Sequence, residues 1–253
     1  MKLPARHRYK FIGCEIVYRE VCHLVAASPN IVDIEFLPKG LHSLETPDMV
    51  ARVQAAVDAV APDREYEAIL LGYARCNDGV VGVRARDLPL VIPRAHDCVT
   101  LFLGSRAEYR RYFDEHPGTY YMTTGWKERD AENDQELLAQ GTVSGKLGLR
   151  MPYEEMVERY GRENADFIRE TMGDTRKNYS RYLYLRMGVC PEDDYVDETR
   201  RDAADRDWTM DVREGDLGLL ARMFAGEWDD DFVVVPPGGV IVARNDERVL
   251  GCE

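Results

Sequence analysis

Short apolar runs alternate with amphipathic stretches through the first half of the chain, and few architectures accept that alternation. YKFIGCEIV has the aromatic and β-branched content of a strand, and residues 15–27 follow as a helix with Val17, Val21, Leu24 and Val25 on one face. IVDIEFLP reads as a second strand. Thr46 as N-cap, Pro47 at the first helical position and Asp48 in the first turn predict a helix start, and Val50, Val53, Ala56, Val57 and Val60 give that helix its apolar face. AILLGYARC is apolar enough for a strand buried on both faces, and LPLVIPRAHDC follows after a short connection. Ser105 caps a helix through AEYRRYFDEH that ends at Pro117 and Gly118, and TYYMTTGW reads as a fifth strand. The pattern predicts an α/β fold, a Rossmann-like parallel sheet with helices on both faces.

From Lys127 to Tyr179 the apolar runs vanish, and KERDAENDQELLAQ, PYEEMVERYG and RENADFIRETMG are helical in pattern. Beyond them RYLYLRMG, WTMDV and FVVVPPGGVIV read as strands, with helices in ETRRDAADRD and DLGLLARMFAGEW. The expected organisation is an α/β half over 1–126, a helical insertion over 127–179, and a second α/β half over 180–253. The second half either continues the first sheet or forms its own lobe.

Charge narrows the function classes. Lys and Arg number 33 against 46 Asp and Glu, a net charge of −13 over 253 residues. Neutralising phosphates takes a basic face, so nucleic acid and anionic membrane surfaces are disfavoured as partners. The opening residues lack the apolar core of a signal peptide and nowhere do eighteen apolar residues run together, which predicts a cytoplasmic protein. In a reducing compartment the six cysteines are expected as thiols or ligands rather than disulfides.

Three of them share a structural place. Cys14 is expected to end the first strand, Cys76 the third in LLGYARC, and Cys98 the fourth in IPRAHDC. In an open parallel sheet the carboxyl ends of the strands line one edge, where ligands bind. Converging thiolates suit zinc or an iron–sulfur cluster, and three protein ligands leave one position open. His96 is a candidate nitrogen ligand or proton carrier, with Asp97 as the residue that orients it. Gly13, Gly72 and the adjoining Tyr73 are the candidate neighbours of a bound group, since glycine at a strand end permits close approach. Each cysteine alone is better explained as core packing than as a ligand. Cys22 and His23 fit an amphipathic helix face, and Asn77-Asp78-Gly79 reads as a turn. GYARCNDGVVG matches neither phosphate-binding glycine fingerprint. Thr123 to Trp126 is expected to be a strand exit with a packing tryptophan. Pro236 to Gly239 is expected to be a reversal at the sheet edge, and Asp229 to Asp231 a solvated acidic run.

Taken together, GCE, GYxxC, HDC, the stretch from Gly104 to Tyr109 and the late GEWDDDFVVVPPG resemble the bacterial and archaeal family catalogued as domain of unknown function 1638, over about Tyr9 to Gly238. The resemblance implies a link to one-carbon or methylamine metabolism through neighbouring corrinoid proteins and methyltransferases, and it falls on Cys14, Cys76, His96 and Cys98. The leading expectation is a metal-dependent enzyme or methyl-transfer component acting on a small molecule, with zinc if His96 ligates and a cluster if it does not. The alternatives are a non-catalytic accessory protein docking on a corrinoid protein or methyltransferase through residues 128–170, and a metal-free nucleophile at Cys98 with His96 as its base.

Overall fold

The computed structural model of the chain describes residues 6–61, 64–129, 153–172 and 178–253. Its elements run β1 (Arg8–Cys14), a 3-10 turn (Glu15–Val17), α1 (Tyr18–Ala27), β2 (Ile31–Leu37), a 3-10 turn (Lys39–Ser43), α2 (Thr46–Asp58), β3 (Ala68–Gly72), β4 (Leu90–Pro93), α3 (Val99–Leu103), α4 (Arg106–Glu115), β5 (Thr119–Met122) and α5 (Thr124–Glu128). They continue with α6 (Tyr153–Tyr160), α7 (Arg162–Met172), β6 (Arg181–Arg186), α8 (Asp193–Asp205), β7 (Thr209–Glu214), α9 (Gly218–Ala225), β8 (Phe232–Val235), β9 (Ile241–Ala243) and β10 (Leu250–Cys252). The fold is Rossmann-like α/β, as the alternation predicts.

Five strands form the central sheet in the order β2-β1-β3-β4-β8, parallel except for β8. The chain leaves β1 for β2 on one side and then crosses to β3 on the other, so the strand order reverses between β1 and β3. In open α/β sheets the carboxyl ends of the strands at such a switch point are where ligands bind. β3 and β4 are buried at every residue, which explains their unbroken apolar runs. Gly13 and Gly72 stand opposite each other in register, and a Cβ on either would collide with the Phe11 ring. Both glycines therefore make room for a large aromatic side chain of the sheet core.

A second sheet has the order β5-β6-β7 and is parallel throughout. These two sheets are separate, and each draws strands from both sides of the division into 1–126 and 180–253. β5 pairs with β6 in the second sheet, while β8 returns to close the first against β4. Alternation identifies a strand but not its partner, because pairing is a contact between distant residues. Of the helical insertion, the described part holds α6 and α7 as expected, whereas KERDAENDQELLAQ lies almost wholly outside the described residues.

Local capping is mixed. Ser105 Oγ accepts the Glu108 N–H at 3.2 Å, the expected N-cap. Thr46 instead lies inside α2, behind Glu45 at the cap position, and its hydroxyl donates to the Asn77 carbonyl at 3.1 Å. A tertiary acceptor has taken the place of the helix N–H. TYYMTTGW also divides: the strand stops at Met122, and the Thr123 hydroxyl accepts the Trp126 N–H at 3.4 Å to start α5. No helix among the described residues is long and apolar enough to cross a membrane.

Candidate functional site

Cys14 closes β1 on the β1 side of the switch point, and Tyr73 and Cys76 leave β3 on the other. Along β1, Phe11 and Gly13 face one side of the sheet, so Cys14 faces the other. Beyond β3 the chain keeps pairing with the stretch after β4: the Arg75 N–H donates to the Ala95 carbonyl at 2.9 Å and the Cys76 N–H to the His96 carbonyl at 3.0 Å. Cys76, Asn77 and Asp78 then take φ of 41°, 58° and 61°. Left-handed backbone costs a residue with a side chain roughly 1–2 kcal/mol, least for Asn and Asp. An Arg75–Asp78 ion pair and the Gly79 N–H on the Cys76 carbonyl at 3.1 Å hold the turn. Strain of this kind persists only where the surrounding structure imposes it, and it gathers at functional sites.

Cys98 immediately precedes α3. The Asp97 carboxylate accepts the Val99 N–H at 3.0 Å and the Tyr109 hydroxyl at 2.7 Å, so it pins the start of that helix. Burial raises the Asp97 carboxyl, and the Tyr109 bond opposes that rise. His96 is exposed and stacks on Tyr109 at 6.5 Å. The expected Asp97–His96 pairing is therefore replaced by an Asp97–Tyr109 bond.

Cys14, Cys76 and Cys98 are all buried and free. Burial pushes Cys14 and Cys76 up to about 12 and Cys98 well above its ordinary value. The sulfurs also feel one another, since Cys14 raises Cys76, and Cys76 and Cys14 raise Cys98. Burial thus holds each of the three predicted cysteines as a neutral thiol. Among the described residues, no three His, Cys, Asp or Glu side chains form a group able to hold one metal ion.

Sequence reasoning misses His42. Its Nε2 lies 3.6 Å from Cys14 Sγ, and burial followed by the nearby Lys39 lowers its pKa, which keeps the imidazole neutral. His42 sits in the turn after β2, so the strand-end rule that selects the cysteines can select it too. Lys39, in the same turn, places its Nζ 4.7 Å above the Trp126 ring and 3.4 Å from the Trp126 carbonyl. A Cβ on Gly125 would strike the Ile16 carbonyl, so α5 packs directly on the turn after Cys14. Tyr73 is buried beside these groups, and its hydroxyl has no hydrogen-bond partner among the described residues.

The remaining candidate residues fall elsewhere. β8 runs antiparallel to β4, with Val235 opposite Leu90, so Pro236 to Gly239 turn at the sheet edge away from the cysteines. Asp231 pairs with Arg106 and Arg222, and Asp229 with Arg222, so this acidic run is tied into ion pairs. In the second sheet, Tyr179 and Tyr182 pack with Tyr120 and Trp208 at ring separations of 5.0–6.2 Å, and Arg181 pairs with Asp211.

The family described as protein of unknown function DUF1638 matches residues 36–224, most of the chain. The chain belongs to this family. Within this DUF1638 chain, Cys76, His96 and Cys98 fall inside the matched range, and Cys14 precedes it. The chain is also similar to glutamate 5-kinase of Thermotoga maritima, 26% identical over 189 residues, which are 72% of this chain and 49% of that protein. It spans about half the length of that curated relative. No solved structure matches.

Proposed function

We propose that Cys14, Cys76 and Cys98 hold an inorganic cofactor, an iron–sulfur cluster in the first place, and that the chain acts as a metal-dependent enzyme or methyl-transfer component on a small molecule. What supports this reading is three buried, free cysteines, one at the end of β1 and one in each of the segments that follow β3 and β4, at the carboxyl edge of a parallel sheet. The donor set fits, because thiolates are the usual ligands of such clusters. His96 lies outside the set, and among the described residues no three donors form a single-ion group. With His96 exposed, a three-cysteine set favours a cluster over zinc, because imidazole suits zinc and is the less usual ligand of a cluster. When bound through three cysteines, a cluster offers an iron without a protein ligand as a Lewis acid for a substrate oxygen or sulfur. His42 is placed to take the Cys14 proton as that thiol becomes a ligand, and Lys39 adds positive charge beside it. A reducing cytoplasm suits such a site.

The test is iron, zinc and acid-labile sulfide analysis of protein purified without oxygen. Roughly four irons and four sulfides per chain are expected, falling sharply in Cys76→Ala. About one zinc without sulfide would replace the cluster by zinc, and stoichiometric metal retained in Cys76→Ala would overturn the site.

The 3.6 Å approach of His42 to Cys14 favours a second reading, a metal-free thiol nucleophile with His42 as its base. It takes the place of the Cys98–His96 pair, whose imidazole is exposed while its thiol is buried. Folded, metal-free protein whose Cys14 alkylation slows in His42→Ala would support it. The accessory reading, docking on a corrinoid protein or methyltransferase, rests on residues 128–170, of which 130–152 are outside the described residues; co-purification with such a partner would support it. Phosphoryl transfer, suggested by the kinase likeness, finds less support. The turn after β3 carries a thiol and a left-handed run, where a phosphate site uses a glycine-rich turn opening a helix.

A further inference from the structure

A cavity of about 670 Å³ lies at the amino end of β3, against the carboxyl end of α2 and at the edge of the central sheet opposite to the thiols. Its volume is in the range of small-molecule sites. Val57, Ile69 and Ala85, all buried, give it an apolar floor together with Leu88. Tyr66 lines it too, with its hydroxyl committed to Asp33 at 2.6 Å.

The charged groups of the lining decide what such a floor can hold. Arg86 is neutralised by Asp58, to which its Nε and a terminal nitrogen donate at 2.7 and 3.0 Å. Arg84 donates to the Gly238 carbonyl at 2.8 Å. Glu65 and Asp87 are exposed, and their carboxylates have no hydrogen bond or ion pair among the described residues. The lining thus combines three carboxylates with two guanidiniums, and its uncommitted charges are negative. The carboxyl end of α2, a helix of 13 residues, adds the partial negative charge of its peptide dipoles at the same place.

We propose that this cavity binds a small organic cation, an ammonium group on an apolar body. The body leaves water on the floor of Val57, Ile69, Ala85 and Leu88, and the ammonium is held by Glu65, Asp87 and the end of α2, with the Tyr66 ring as a further cation acceptor. A neutral molecule of the same length gains only the apolar contacts, and a carboxylate is repelled. The site uses none of the cysteines, so it is independent of the reading given to them.

The experiment titrates the full chain, nitrogen-labelled, with hexylamine as the probe and hexanol and hexanoate as controls of equal length, following amide chemical shifts. Saturable shifts of Val57, Tyr66, Ile69 and Arg86 are expected with hexylamine, at clearly higher affinity than with either control. The double variant Glu65→Gln with Asp87→Asn changes two exposed, unpaired side chains; it should keep the urea midpoint of wild type and bind hexylamine about tenfold more weakly. Equal affinity for hexanol, tighter binding of hexanoate, or unchanged affinity in the double variant would each overturn the choice of a cation. Shifts gathered elsewhere, or none up to the solubility limit of the amine, would overturn the site.

Discussion

Replacing Glu20 by Gln should stabilise the protein in alkaline solution and leave acidic solution nearly unchanged. Glu20 lies in the first turn of α1, is fully buried, and has no hydrogen-bond partner among the described residues for either carboxylate oxygen. Burial raises its pKa from 4.5 to about 7; Glu192 and Glu128 add to the rise, while its own backbone N–H and Arg19 oppose it. Arg19 is committed to Glu128, which it binds through Nε at 2.7 Å. The folded chain thus holds a proton that the unfolded chain releases at lower pH. A group with a raised folded pKa favours folding below the unfolded value, and that contribution is lost as pH rises through the folded value. Stability should fall between pH 4.5 and about 7 and then level off. At about 1.4 kcal/mol for each tenfold change in proton affinity, the loss amounts to roughly 3 kcal/mol. Gln carries no titrating proton, and its amide can donate to a neighbouring carboxylate. Urea unfolding at about pH 5 and pH 8 reads the effect: the variant should gain on wild type by up to roughly 3 kcal/mol between these conditions. The same stability difference at both pH values would refute the argument.

Gly72→Ala drives a methyl group into the Phe11 ring and should cost roughly 1–3 kcal/mol in urea unfolding; combined with Phe11→Leu, it should cost less than the sum of the two single changes, because the collision is relieved. Ser105→Ala removes the acceptor for the Glu108 N–H and should lower stability by about 1 kcal/mol in the same assay, and an unchanged midpoint would mean that solvent replaces the cap.

Much of the candidate site is legible in the amino-acid sequence. Cys14, Cys76 and Cys98 can be placed together because a parallel sheet collects its strand ends along one edge, and alternation alone predicts the sheet. His42 obeys the same rule but is hidden in a segment without strand character. The orientation of His96 could not be read from the strand pattern, because two residues along an extended chain share a face only while the strand continues, and β4 stops at Pro93. Past that point turn geometry decides where each side chain goes, and Asp97 spends both oxygens on Val99 and Tyr109.

Local chemistry in the sequence determined the element types, the Ser105 cap, the buried character of β3 and β4, and the set of thiols available at one edge. These depend on neighbours along the chain or on a periodicity of a few residues. Only the tertiary structure decided that β5 joins the second sheet, that β8 closes the first, that Thr46 bonds Asn77 instead of capping, that Cys76 sits in a left-handed turn, and that the Tyr73 hydroxyl and the Glu20 carboxyl are buried without partners among the described residues. Each of these is a relation between residues far apart in the chain, settled by which contacts the whole fold can satisfy at once.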